Sequence, residues 1–566
     1  MSVRNFDRDV SRYGDGKRNN VSFWYNTASP VSKNWKIYSF GGISSRHVRT
    51  YGFYRFPNDY KSASVLYPDG YLPEDPATLN DIAFTAGLSG KPWHGYYIDV
   101  SSTYGKNSFN SATENTVNPS MGASSPTRFN LGQTLFNESV NDFTLNKAFE
   151  WRDKMHLSAI TFGSQFINSR YQIKAGDEGS YLDANLPGTP EDQLKLSGTN
   201  GHLGFSPANA VNEQRNQFSL YSQARFFIDK NTDAGVGIRY ENSSLFNSQL
   251  AFSADLKKNI GSYFTVHVAY NQSAKLPTLQ QLYFSQTQYQ FFPRNGISDV
   301  YKIMQVNSFA AIRKDLGIAD LKPERIKEAH FSINYKKDQL SLWLSYNKTI
   351  MKDRLMVSDL IAPEGQDYTR ILERSDIDAV QFFRNIPGSS THVLQLIGTY
   401  DLQLASADKI LNFEGHIAFN RTHVNSRNAF AAQADPAADR IFIGIIEDGQ
   451  PKIKIIGKVN YQTRLISVYL RNTYFGPVWY RDNRPDLDQY FGGKIVTDIG
   501  ASYHKSKSLA LTLSINNLFD IYPDQVIENN TLNTNRTFGN QIVYSRQTSQ
   551  FGIYGAYLSC TVNYRF

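Results

Sequence analysis

The sequence has a single cysteine, Cys560, so no disulfide can form within the chain and no thiol pair can hold a metal. It has no apolar run near the roughly 20 residues that a membrane helix needs, and its mean hydropathy is −0.45. A helical membrane protein is therefore excluded. The first twenty residues, MSVRNFDRDVSRYGDGKRNN, have no apolar core of the kind a secretory signal peptide carries. The ten histidines fall into no HExxH motif and no metal-ligand spacing, so neither catalysis nor a metal or other cofactor is expected, and the chain reads as a non-enzyme. The glycines of GTNGHLGFSP precede no helix and form no phosphate loop. A net charge of +8 over 566 residues is a modest bias, too slight to indicate a nucleic-acid partner.

What the sequence has in quantity is aromatic residues and alternation. Aromatics make up 14% of it, with 35 Tyr and 37 Phe. Successive strand residues point to opposite faces, so a strand with one oily face alternates strictly. In YLSCTVNYRF the apolar positions are Leu558, Cys560, Val562, Tyr564 and Phe566, which makes Cys560 a small hydrophobe on that face. Phe264, Val266, Val268 and Tyr270 alternate with Thr265, His267 and Ala269, and Leu340, Leu342, Leu344 and Tyr346 repeat the pattern. Segments of about ten residues suffice to cross a bilayer as tilted strands, and aromatic girdles at both interfaces raise the aromatic fraction.

Two kinds of connection alternate between the strands. Short polar turns stand at 229–233, 259–262, 336–339 and 504–508, whereas 43–93, 172–214, 271–326, 424–450, 477–492 and 520–550 are long. Such loops are exceptional in a compact soluble domain but normal in an outer-membrane barrel, which has short periplasmic turns and long extracellular loops. The expected fold is all-β, a transmembrane antiparallel β-barrel. A β-propeller would show a blade repeat, and none is present. A soluble carbohydrate-binding β-protein would stay in solution without detergent.

Several stretches together resemble the barrel of TonB-dependent outer-membrane receptors, in the form found in Bacteroidota. They are YNQSAKLPTLQQLY (Tyr270 to Tyr283), the Leu321, Lys322, Pro323, Glu324 element, INSRYQIKAGDEGSY, VGIRYE, IMKDRLMVS and INNLFDIYPDQ (Ile515 to Gln525), with a likeness running from about Val21 to Phe566. The resemblance implies a barrel of about 22 strands. Following the alternation of long and short connections back from the last strand makes 380–403 one long descending strand and gives about 19 strands. Residues 1–20 are then the remnant of an extracellular loop, residues 21–566 the barrel, and neither the first strands nor a plug domain is present. The family imports ferric siderophores, haem, cobalamin or oligosaccharides, and iron-chelate uptake is the favoured reading. Its energy arrives from the TonB complex, reachable here only through a plug absent from this chain. Outer-membrane lipid, lipopolysaccharide and the barrel-assembly machinery are further implied partners, the last reading Phe566, Tyr564 and Val562 as its signal. A plugless passive pore and a non-functional gene remnant are the alternatives.

Ligand contacts are sought in the long loops. Tyr283, Phe284, Tyr289, Phe291, Phe292 and Arg294 cluster in one, and Trp479, Tyr480, Arg481 and Arg484 in another. Aromatic faces beside cations suit catecholates and other anionic metal chelates, or sugars by stacking. The competing role for these aromatics is interface girdle and loop packing.

Overall fold

The computed structural model describes residues 16–55, 66–149, 156–186, 196–200, 202–294, 297–358, 366–404, 408–425, 439–482, 485–506, 508–527, 543–545 and 548–565. Ten strands follow one another as an antiparallel meander: β1 (Lys17–Pro30), β2 (Trp35–Tyr51), β3 (Glu74–Gly90), β4 (Tyr96–Glu114), β5 (Arg128–Ala148), β6 (His156–Lys174), β7 (Val211–Asp229), β8 (Thr232–Ser243), β9 (Gln249–Ile260) and β10 (Phe264–Lys275). A hairpin of β11 (Gln286–Arg294) and β12 (Ile297–Val306) stands outside that order, and β10 pairs directly with β13 (Glu324–Lys337). The meander continues through β14 (Leu340–Val357), β15 (Ala379–Gln403), β16 (Ile410–Val424), β17 (Ile453–Gln462) and β18 (Ile466–Phe475). A second small hairpin, β19 (Val478–Tyr480) with β20 (Gln489–Phe491), precedes β21 (Lys494–His504), β22 (Leu509–Asn516) and β23 (Tyr557–Tyr564). Of the twenty-three strands among the described residues, nineteen thus form one wall. Among the described residues β1 pairs only with β2, and β23 only with β22, so each has one open edge.

Alternation places the side chains as the sequence pattern requires. Phe331, Tyr346, Leu394 and Phe419 are direct cross-strand partners on β13 to β16, and all four stand exposed on the outer face. The opposite face is polar. There His267 lies 3.7 Å from Asp255 and its ring 5.5 Å from that of His330, while Arg471 binds Asp498 at 2.7 Å. Glycines admit large rings on this inner face: a Cβ on Gly163 would sit 2.2 Å from the Tyr221 ring. Cys560 pairs with Leu513 and is exposed on the outer face.

The short turns close by local chemistry. The Asp229 carboxylate accepts from the Asn231 N–H at 2.8 Å and the Thr232 hydroxyl at 3.0 Å, an Asx turn. Gly261 (φ +60°) and Asp338 (φ +47°) supply the left-handed residues of two other turns.

Three expectations change. β1 begins at Lys17, so residues 17–20 belong to the wall and not to a loop. Most of 43–93 is strand: β2 and β3 run through it, and the long connection is only 52–73. Many strands are also longer than ten residues, with 17 to 21 in β2 to β6 and 25 in β15, whereas β17 and β18 have ten. Their extra length continues the wall beyond the apolar band on the long-loop side, where polar residues replace the oily ones and the period-2 signal fades. The segment 380–403 lies within β15, one uninterrupted strand.

Candidate functional site

The long connections fold into a packed layer above the rim. In SAKLPTLQQLY, Thr278 caps the helix α1 (Leu279–Tyr283): its hydroxyl accepts from the Gln281 N–H at 3.1 Å, and the Gln281 side chain accepts from the Thr278 N–H at 2.9 Å. This fixes α1 so that Leu279 and Leu282 are buried against Tyr171, Ile173, Phe205 and Leu321. Arg215 of β7 donates to the Pro277 carbonyl at 2.6 Å and ties the start of α1 to the wall.

The same loop makes a second core. β12 runs parallel to the start of β15, from Ile303 opposite Ala379 to Val306 opposite Phe382. Val306, Leu316, Val380 and Phe382 then close on Leu372 of α3 (Gln366–Arg374) and on Ile377. Arg313 of α2 (Ala311–Asp315) is buried there and donates to the Ala319 carbonyl at 2.6 Å.

On this layer the aromatic candidates take distinct roles. Tyr283 stacks on Phe309 with centroids 4.7 Å apart, and Phe309 is 61% exposed. Burial pushes the Tyr283 phenol up, helped by Glu213 and opposed by Arg215. Phe284 meets Phe205 edge-on at 6.0 Å and belongs to the packing. The Tyr289 hydroxyl hydrogen-bonds Ser197, and Gln286 donates to the Leu203 carbonyl at 2.9 Å, stitching the loop after β10 to the loop after β6. Phe291, Phe292 and Arg294 continue β11, but their side chains lie outside the described residues. Phe309 escaped the sequence reading because NSFAAIR surrounds it with no second aromatic or periodic signal.

The second cluster sits after β18. Trp479 has the Arg481 guanidinium 4.5 Å from its ring and the half-exposed Tyr490 at 5.1 Å. Arg481 binds Asp448 at 2.8 Å and Asp488 at 2.9 Å. Asp488 also takes both arms of Arg440 from α4 (Asp439–Glu447), at 2.5 and 2.6 Å. Burial opposes ionisation of Asp488, but Arg440, the Asp482 N–H and Arg481 together hold its carboxyl down to about 2. Arg481 is thus engaged in a clasp between two loops, with its cationic face shared with Trp479. Tyr480 is half-buried in β19, and Arg484 lies outside the described residues. Of the strand-end residues, Tyr564 and Val562 are exposed on β23, and Phe566 lies outside the described residues.

A hollow of about 890 Å³ lies elsewhere, at the loop end of β1 to β5, lined in part by Arg49, Glu74, Glu114 and Arg128. Four of its charges pair: Arg49 with Glu74 and, at 3.4 Å, with Glu114, which also meets Arg128 at 3.3 Å. Among the described residues no cluster of His, Cys, Asp and Glu has metal-site geometry.

The motifs behind the family resemblance turn out to join wall to loops. Asn517, at φ +54°, accepts from the Ile521 N–H at 2.9 Å, donates to the Ile521 carbonyl at 2.7 Å, and its own N–H reaches Asp498 at 2.8 Å. Glu324 accepts from the Leu355 N–H at 2.8 Å, and the Lys322 backbone exchanges hydrogen bonds of 2.8 and 2.9 Å with Asn385.

Comparison with known proteins agrees with this architecture. The fold is similar to the siderophore receptor PirA from Acinetobacter baumannii, with a TM-score of 0.62 and 13% identity over 99% of this chain and 73% of that one. It is also similar to FpvA of P. aeruginosa, solved bound to heterologous pyoverdines (TM-score 0.58, 10% identity, 98% and 65% of the two chains), and to a mutant of the ferric enterobactin receptor PfeA from Pseudomonas aeruginosa (0.51, 15%, 96% and 80%). No curated protein matches the sequence. The family model described as TonB dependent receptor-like, beta-barrel, matches residues 5–518, from before β1 to beyond β22. The family comprises receptors and transporters of the outer membrane, and on that match the chain belongs to the TonB-dependent receptor-like β-barrel family.

Proposed function

We propose that this chain is the barrel of a receptor that takes up a scarce nutrient across the outer membrane, with an iron chelate such as a siderophore complex as its ligand. The observation that carries the ligand reading is the Tyr283–Phe309 stack, an exposed aromatic shelf held on a buried core and flanked by Arg215 and Glu213. Ring faces fixed before the ligand arrives lose little freedom on binding. Trp479 with Tyr490 offers a second shelf on another loop. The siderophore receptors among the fold neighbours support the choice of ligand class.

The two open edges of β1 and β23 support a further part of the reading: about three more strands complete the wall at this seam, and a plug inside it receives the energy relayed by TonB. Each unpaired backbone group in lipid costs several kcal/mol, so the seam needs a partner. Val562, Tyr564 and Phe566 serve as the terminal signal for the barrel-assembly machinery.

The test is transfer of residues 276–323 into an intact receptor of known specificity, followed by uptake of radioactive iron chelates. A new chelate preference that disappears in the F309A graft supports the proposal. Unchanged preference would falsify the role given to this loop. Steady ion conductance by the full chain in planar bilayers, insensitive to any chelate, would instead indicate a passive pore.

A further inference from the structure

Charge is divided unevenly along the chain. The long connections are 52–73, 115–127, 175–210, 244–248, 276–323, 358–378, 425–452, 476–493 and 517–556. Together they hold 17 Lys and Arg against 26 Asp and Glu, a net of −9, whereas the whole chain holds 59 against 51, a net of +8. The rest of the chain therefore holds 42 against 25, a net of +17. The layer that a ligand meets first is acidic on an otherwise basic protein.

Around the aromatic shelf the imbalance is sharper, because the cations there are engaged. Arg215 donates to the Pro277 carbonyl, and buried Arg313 to the Ala319 carbonyl. Lys302 pairs with Asp376, its N–H donates to the Asp378 carboxylate at 2.6 Å, and Asp183 acts on it from the neighbouring loop. At the second shelf Arg440 and Arg481 are held by Asp488 and Asp448. Lys314, Arg370 and Arg374 are exposed, but α2 and α3 set Asp315 and Glu373 beside them. Carboxylates are left over. Glu178, Glu213 and Asp320 are exposed and have no ion pair among the described residues. Glu213 is the direct cross-strand partner of Tyr171, in the core beneath α1, and acts on the Tyr283 phenol of the shelf.

We propose that this site receives a neutral or positively charged iron(III) chelate, of the kind formed by three hydroxamate groups on a backbone with a free ammonium, and turns away polyanionic chelates such as a tris-catecholate. Three hydroxamates each bring a single negative charge and cancel that of iron(III), whereas three catecholates leave the complex strongly anionic. An ammonium group meets the ring faces of Tyr283 and Phe309 and the Glu213 carboxylate. A polyanion meets a field of its own sign and, among the described residues of the shelf, no uncommitted cation. The anionic ligand that aromatics beside arginines suggest in sequence does not fit, because Arg481 already has carboxylate partners and Arg215 a carbonyl. The inference rests on the uptake reading above and narrows it.

The experiment titrates the full chain, in an uncharged detergent, with three iron(III) complexes: a linear trishydroxamate with a free ammonium, the same complex with that amine acetylated, and a tris-catecholate. The ammonium form is expected to bind tightest, the acetylated form about fivefold more weakly and the tris-catecholate at least about tenfold more weakly. Raising the salt from about 0.05 to about 0.5 M should narrow these gaps. Glu213→Gln should erase the difference between the two hydroxamates, and F309A should weaken both; the acetylated chelate probes the same contact without altering the protein. Tris-catecholate binding as tight as that of the hydroxamates, or full ammonium preference in E213Q, would overturn this proposal and leave the uptake reading standing. Binding of none of the three, by protein whose heat-modifiable gel mobility shows it folded, would overturn both.

Discussion

Leu342, Leu344 and Leu396 in the wall stand exposed on the outer face, whereas Leu282, Val306 and Val380 above the rim are almost completely sealed from solvent. The residue types are the same and their surroundings are opposite. In the wall the apolar side chain faces lipid and the backbone ladder does the structural work. Above the rim the surroundings are water, so the loops need cores of their own, and they build them from a short helix, a parallel strand pair and buried leucines. The lesson is that the aliphatic residues of one chain must be sorted by solvent before their burial means anything.

The sharpest way to break that contrast is inside the loop layer. Leu279→Ala should cost about 2–5 kcal/mol of local stability. Hydrogen exchange should accelerate across 276–323 and leave the amides of 340–348 and 392–403, the lower parts of β14 and β15, unchanged; equal acceleration in both would show that the layer and the wall are one cooperative unit. The converse change is Leu344→Arg, which places a charge in the apolar band and should cost about 2–4 kcal/mol. Urea titration of vesicle-bound protein reads that loss, and no change would mean that Leu344 does not face lipid.

A smaller effect is expected at the joint between the two regions. Asn517→Ala removes two side-chain hydrogen bonds from a nearly buried position and should cost about 1–3 kcal/mol. Proteolysis should rise at 517–527 without loss of the barrel's gel mobility. The smallest effect concerns pH. Because the Asp488 carboxyl is held down to about 2, its contribution to the clasp is complete above about pH 4 and disappears as pH falls through about 2. Pepsin cleavage between β18 and β21 should therefore climb only below about pH 3, and in D488N it should be high at every pH where pepsin acts. A flat profile in the unaltered protein would remove the clasp from the account.

This division also explains how much could be read from sequence. Period-2 alternation is strong where one face meets lipid, so the strands through Phe264 to Tyr270, Leu340 to Tyr346 and Leu511 to Ile515 were visible. It weakens where both faces are polar, as over 44–51 and 74–81, and that is why these stretches looked like loop although both are strand; Ile82, Phe84 and Leu88 do alternate on the outer face and went unread. The single strand through Pro387 was legible only from the alternation of connections, a constraint on the whole chain and not on any one residue. The loop candidates were found by residue type alone. Their roles depend on contacts between loops far apart in sequence, such as Ser197 with Tyr289 or Asp448 with Arg481, which no local pattern encodes. Phe309, the most exposed member of the aromatic shelf, carried no signal at all.

Cys560 is the only thiol in the sequence, and it stands exposed on β23, one of the two strands with an open edge. The protein therefore arrives with a reporter already installed at its seam. A maleimide too polar to enter the bilayer should label Cys560 rapidly while that edge is wet, and slowly once added strands close the wall and lipid covers its outer face. Closure of the barrel becomes a matter of reaction rate, readable in a crude membrane without altering a single residue.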